Sequence, residues 1–146
     1  MNKILKMDRV DEDVMTLAVA RVARLFDRFD TVVVSFSGGK DSTVVLNLAA
    51  DEAERRGRLP LQVISVDEEA IPYETEHYMR RVAADPRLDF KWLCVPLAHR
   101  NGCSKESPVW YPWAKEDEPL WVRPLPPEAI TEYGRWPNEP REARLG

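Results

Sequence analysis

The sequence predicts an α/β fold: a three-layer sandwich on a mostly parallel sheet, followed by an irregular Trp/Pro-rich C-terminal extension. Three observations lead there. Apolar segments of helical period alternate with short apolar runs from Asp8 to Pro96. The runs lack polar alternation, as in strands covered on both faces. A glycine-rich polar turn, Ser37-Gly38-Gly39-Lys40-Asp41-Ser42, joins the first run to a helix, the connection of a right-handed βαβ unit.

Each element has its own signal. Val10, Val14, Leu17, Ala18, Val22, Leu25 and Phe29 recur at helical spacing among charged residues and predict an amphipathic helix from Asp8 to Phe29. Thr31 to Phe36 is the first strand. Val44, Val45, Leu48, Ala49 and Ala53 mark a second helix from Asp41 to about Arg56, stopped by Gly57 and Pro60. Leu61 to Val66 is the second strand, and an acidic turn, Asp67-Glu68-Glu69, follows it. A third helix runs from about Tyr73 to Ala84 until Asp85-Pro86 ends it, and Phe90 to Val95 is the third strand. Residues 1–98 thus form the core, and residues 99–146 an extension that packs on it or on a partner. Prolines from Pro108 to Pro140 interrupt every candidate element there, and the final stretch, PNEPREARLG, cannot support a core.

Composition narrows the function classes. A chain of 146 residues, 44% hydrophobic, buries one modest core. A formal charge of -4 argues against a surface built mainly to grip nucleic acid. No segment approaches a membrane span, and the expectation is a cytoplasmic protein. Cys94 and Cys103 form no CxxC pair and read as reduced thiols, so neither zinc nor an iron–sulfur cluster is expected.

The turn carries the chemistry. In open α/β sheets ligands settle at the carboxyl ends of strands, where this turn lies. Gly38 and Gly39 allow close backbone approach, so successive amides and the start of a helix can face one anion. Ser37 and Ser42 add hydroxyls and Lys40 a positive charge, completing an oxyanion cradle. A Walker loop would need glycine at Val34 and a hydroxyl residue at Asp41, and the dinucleotide fingerprint GxGxxG is absent.

The turn resembles the SGGxDS signature of the PP-loop superfamily of adenine-nucleotide α-hydrolases, matched by Ser37, Gly38, Gly39, Lys40, Asp41 and Ser42. Within it the chain looks most like the phosphoadenosine phosphosulfate reductase branch, whose Pro-x-Glu-Thr element falls on Pro72, Tyr73, Glu74 and Thr75. That branch usually shows Asp-Thr-Gly where this chain has Asp67-Glu68-Glu69. The segment HRNGCSKESPVWYPW is similar to a phage- and plasmid-borne subgroup.

The resemblance implies that ATP or a related adenine nucleotide is bound with Mg²⁺ and cleaved at the α-phosphate, giving an adenylated intermediate and pyrophosphate, or that sulfur transfer is supported. Nucleotide contacts would come from Ser35, Ser37, Gly38, Gly39, Lys40, Asp41, Ser42 and Asp67. Lys40 and Asp41 would be catalytic, with Asp41 orienting the metal and Asp67 reaching metal or ribose. One alternative is reduction of a sulfonucleotide (PAPS or APS) by a displaced cysteine, for which Cys103 is the candidate thiol. Another is a non-catalytic nucleotide sensor or assembly module.

Glu74, Arg100 and Lys105 are candidate acceptor or anion contacts, joined by Lys115 and Arg123 at the pocket mouth. Glu74 also suits the start of its helix by charge alone. Trp110, Tyr111, Trp113 and Trp121 either anchor the extension to the core or stack the bases of a nucleic-acid acceptor. A protein partner or oligomer covering the extension is the other expected interaction.

Overall fold

The computed structural model describes residues 11–132. The sequence reading of PNEPREARLG, and of the first helical turn from Asp8, lies outside them. Three helices, α1 (Val14–Arg28), α2 (Lys40–Arg55) and α3 (Tyr73–Ala83), alternate with β1 (Val33–Ser35), β2 (Leu61–Val66) and β3 (Leu88–Leu93). α1 starts where the side chain of Asp13 accepts from the Thr16 amide at 3.0 Å, an N-cap that fixes the entry point. Arg56 and Arg58, at the end of α2, tie that end to α1: their guanidinium groups donate to the carbonyls of Ala23 and Phe26 at 3.1 and 2.9 Å.

These strands and a last one, Ala129–Ile130 (β6), form one parallel sheet in the order β1-β2-β3-β6, with Val34 beside Val63 and Val63 beside Phe90. The architecture is therefore mixed α/β, a parallel sheet flanked by helices and consistent with a three-layer α/β sandwich. The last strand, β6 (Ala129–Ile130), comes from the segment that the sequence reads as irregular. It pairs with β3 through Trp92 and Leu93, so the extension returns to complete the sheet. Before it come a two-stranded antiparallel ribbon of β4 (His99–Arg100) and β5 (Val109–Trp110) and a 3₁₀ helix over Lys115–Leu120.

Sheet coverage departs from the expectation in one respect. Continuous apolar runs predict strands buried on both faces, yet β2 alternates: Leu61, Val63 and Ser65 are buried while Gln62, Ile64 and Val66 are exposed among the described residues. The cause is topological. Strands β1, β2 and β3 progress in one direction across the sheet, and right-handed crossovers then place α2 and α3 on the same face. That face holds the core of Val34, Phe36, Leu46, Val63, Met79 and Trp92, with Phe26 of α1.

At the carboxyl end of β2 the core contains a charge. Asp67 is 1% exposed, and its carboxylate accepts from Trp92 Nε1 at 2.7 Å, the Glu69 amide at 2.7 Å and Arg123 Nη2 at 2.5 and 2.7 Å. Of the other nitrogens of Arg123, Nε donates to the Glu69 carbonyl at 3.0 Å, while Nη1 is buried without a hydrogen-bond partner among the described residues, 3.8 Å from Glu76 Oε1. Its guanidinium also covers the Trp113 ring, 4.9 Å from the centroid.

Glu69 acts on the same segment. Its carboxylate accepts the Trp113 and Val122 amides at 3.1 and 3.0 Å, while the Trp113 indole donates to the Asp67 carbonyl at 2.9 Å. Glu69 and Trp113 both adopt left-handed backbone, at φ 65 and 58°, which non-glycine residues hold only when neighbours over-determine them. Asp67 and Glu69 thus bind residues 113–123 to the core.

Because breaking a buried ion pair strands the remaining charge, Asp67→Ala is expected to cost about 3–5 kcal/mol. That corresponds to a fall in Tm of roughly 10 °C or more for a chain of this size. Arg123→Ala added to Asp67→Ala is expected to cost much less than the sum of the two single changes, measured by denaturant titration. Additive costs would show that the two groups do not act as a pair.

Candidate functional site

β1 feeds directly into the turn, and Phe36, buried to 1% and bonded to the Ile64 carbonyl at 2.8 Å, fixes where the turn begins. Gly38 has φ +75°, and a Cβ built there would stand 2.7 Å from Thr75 Cγ2 and 3.2 Å from Met79 Cγ. The turn is therefore pressed against α3, and glycine is needed both for its conformation and for this approach. The Pro72–Thr75 element, at the start of α3, supplies the wall.

Within the turn the hydroxyls organise the backbone. Ser42 Oγ donates to the Gly39 carbonyl at 2.9 Å, lies 3.1 Å from Ser37 Oγ, and accepts from the Ser37 amide at 3.3 Å. Thr43 Oγ1, absent from the sequence candidates, also donates to the Gly39 carbonyl at 2.9 Å. α2 begins at Lys40 with Gly39 as its N-cap and no side-chain cap. The first amides of a helix have no intrahelical acceptor, so this end presents donors and the positive end of the dipole. Lys40 and Asp41 are exposed beside it. The arrangement suits an anion with several acceptor oxygens.

The remaining candidates divide. Ser35 is exposed on β1, and Glu74 is exposed in the first turn of α3, where its charge complements the helix dipole. Arg100 on β4 and Lys105 in the following turn are both exposed. Lys115 is paired with Glu118 on the 3₁₀ helix.

Asp67 and Arg123, two of the candidate ligand contacts, pair with each other. Both oxygens of Asp67 are engaged by protein donors, and Arg123 is committed to Asp67 and the Glu69 carbonyl. A ribose or metal would have to displace Arg123 from a buried carboxylate. The acidic turn that departs from Asp-Thr-Gly is instead the seat of the extension. Sequence alone could not have separated these roles, because a carboxylate after a strand looks the same whether it faces a ligand or a distant arginine.

The two thiols differ. Cys94 is buried, and burial followed by the neighbouring charge of Asp67 pushes its pKa up to about 12, leaving it protonated at neutral pH. Cys103 is exposed in the turn between β4 and β5, where its amide donates to Asn101 Oδ1 at 3.0 Å. Among the described residues no three His, Cys, Asp or Glu side chains converge as a metal site. Asp41 remains as a single exposed carboxylate, which fits an ion such as Mg²⁺ that keeps several waters and takes other ligands from phosphate. No helix among the described residues is long and apolar enough to cross a membrane.

Gly38→Ala is expected to lower stability by about 1–2 kcal/mol from backbone conformation alone, with a further steric cost against Thr75. Thermal denaturation should show Thr75→Ser, which removes the clashing methyl, recovering part of the loss in the Gly38→Ala background. No recovery would show that the approach to α3 is not the constraint.

Comparison with known proteins accords with this geometry. No solved structure matches the chain. Uncharacterized protein YbdN of Escherichia coli (strain K12) is 34% identical over 123 residues, a match covering 82% of this chain. The chain spans only 30% of that relative's length. Residues 31–126, from before β1 to the end of the Arg123 segment, match the phosphoadenosine phosphosulfate reductase domain. The chain belongs to the phosphoadenosine phosphosulfate reductase family, of nucleotide-binding PP-loop type.

Proposed function

We propose that the domain holds the phosphates of an adenine nucleotide on the Ser37–Ser42 turn and cleaves ATP between the α and β phosphates. The observation that carries this reading is the uncapped start of α2, with exposed Lys40 beside it, held against α3 by Gly38. In this reading an acceptor oxygen or sulfur attacks the α-phosphorus, the bond to the β-phosphate oxygen breaks, and pyrophosphate leaves into the turn. Backbone amides, Ser37 and Ser42 position the leaving group, and Lys40 neutralises its charge. Mg²⁺ bound by Asp41 and phosphate oxygens would offset further negative charge. Sulfur transfer would be a second step, in which a sulfur nucleophile attacks the adenylated acceptor and AMP leaves.

A second reading, a binding module that does not turn over, is favoured by the exposed and separate positions of Glu74, Arg100 and Lys105. It also fits the small share of the E. coli relative that the chain spans. Sulfonucleotide reduction is left to Cys103, because Cys94 is held protonated.

ATP with Mg²⁺, at about 100 times its Kd, is expected to raise Tm by several degrees. Pyrophosphate and AMP release should fall about 100-fold in Lys40→Ala and Asp41→Ala. A rise in Tm without turnover in the presence of thiol and amine acceptors would select the binding module. No rise with any adenine nucleotide would remove both readings. For the thiols, iodoacetamide applied to the folded protein at pH 8 should label Cys103 and spare Cys94, as read by peptide mass spectrometry. Rapid labelling of Cys94 would contradict its burial.

A further inference from the structure

α1 is fixed to the rest of the chain by its C-terminal half. Phe26 is its one buried residue, Val22 packs against the same core, and Arg56 and Arg58 donate to the carbonyls of Ala23 and Phe26. The N-terminal half has no such cover. From Val14 to Ala20 the sequence reads Val-Met-Thr-Leu-Ala-Val-Ala, apolar but for Thr16, yet none of these residues is buried. Val14 is 84% exposed, Met15 58% and Val19 47%. Met15 and Val19 continue the line of Val22 and Phe26, at i, i+4, i+7 and i+11, past the part of α1 that α2 covers. Val14, Leu17, Ala18 and Arg21 share the adjoining face, at i, i+3, i+4 and i+7. A helix segment apolar on several sides at once is the kind that another element covers.

Charge identifies the cover. Asp11, Glu12 and Asp13 precede the run and Arg21 and Arg24 follow it, all five exposed. Among the described residues none of the five takes part in a salt bridge, and Asp27, the acidic residue within α1, is taken by Arg56 at 2.7 Å. The run is therefore acidic at one end and basic at the other, a pattern complementary to itself when turned end for end. At about 1.5 Å per residue, Asp13 and Arg21 each stand about 6 Å from Leu17 along the axis, on opposite sides of it. A two-fold axis near Leu17 sets each acidic end against the arginines of the other copy, lays apolar run on apolar run, and opposes the two helix dipoles. We propose that two copies of the chain associate through this segment, α1 against α1, antiparallel and isologous. The contact is about two helical turns long, smaller than a standard interface of about 1,600 Å² in total, so the pair forms in the micromolar rather than the nanomolar range. This inference is independent of the nucleotide reading.

The test is sedimentation velocity of the whole chain from about 1 to 500 µM, over which the mass should rise from that of one chain toward that of two. Val14→Lys removes an apolar contact and places a positive charge near Arg21 of the second copy. It should weaken association about 10-fold or more, while the Tm of the dilute protein, in which Val14 is exposed, stays within about 2 °C. Charge exchange tests the orientation. Arg21→Glu with Arg24→Glu makes both ends acidic, and Asp11→Lys with Glu12→Lys makes both basic. Each doubly substituted chain should be monomeric alone, and an equimolar mixture of the two should dimerise. Lys40→Ala should associate as the unsubstituted chain does, separating failure here from failure at the Ser37–Ser42 turn. A chain that stays monomeric up to about 500 µM, as it would if a different protein or another part of this chain covers the run, overturns the proposal. So does a dimer that Val14→Lys leaves intact, or a mixture of the two charge variants that stays monomeric.

Discussion

The buried carboxylate of Asp67 is the interaction on which the rest depends. A charge in the core is tolerated only with its acceptor sites filled, and here donors arrive from three places: Trp92 on β3, the Glu69 amide in the adjoining turn, and Arg123 far along the chain. Satisfying one side chain therefore fixes the position of the second strand end, its neighbour and the extension together. Removing any donor leaves a polar group where water cannot reach it.

Glu69 extends the same logic to the backbone. A segment rich in proline has few amides available for helix or sheet, and those of Trp113 and Val122 find their acceptor in a buried glutamate. The left-handed conformations of Glu69 and Trp113 are held by these contacts and by the indole bond to the Asp67 carbonyl. The tryptophans thus anchor the extension, as one of the two readings of the sequence has it.

The Ser37–Ser42 turn is built by a different principle. Its hydroxyls and glycines are spent on shaping the backbone rather than on capping α2, so the donors at the start of the helix are left to face outward. The core residues Phe36 and Met79 hold it from beneath. It lies one strand from the acidic turn, since β1 and β2 are neighbours in the sheet.

The sequence by itself determined what local chemistry determines. The six-residue match at Ser37–Ser42, the helical spacing of α1 to α3 and the apolar runs of the first three strands are all encoded within short windows, and the family follows from them. Strand β6 was not legible, because Ala129 and Ile130 carry no period and become a strand only when Trp92 and Leu93 offer an edge. The one-sided burial of β2 was likewise invisible, since apolar content does not report which face the crossovers cover. Asp67 shows the limit most clearly. Its residue type and its place after a strand fit a ligand contact, and only the tertiary structure, by bringing Arg123 against it, decides that its charge is used to hold the fold together.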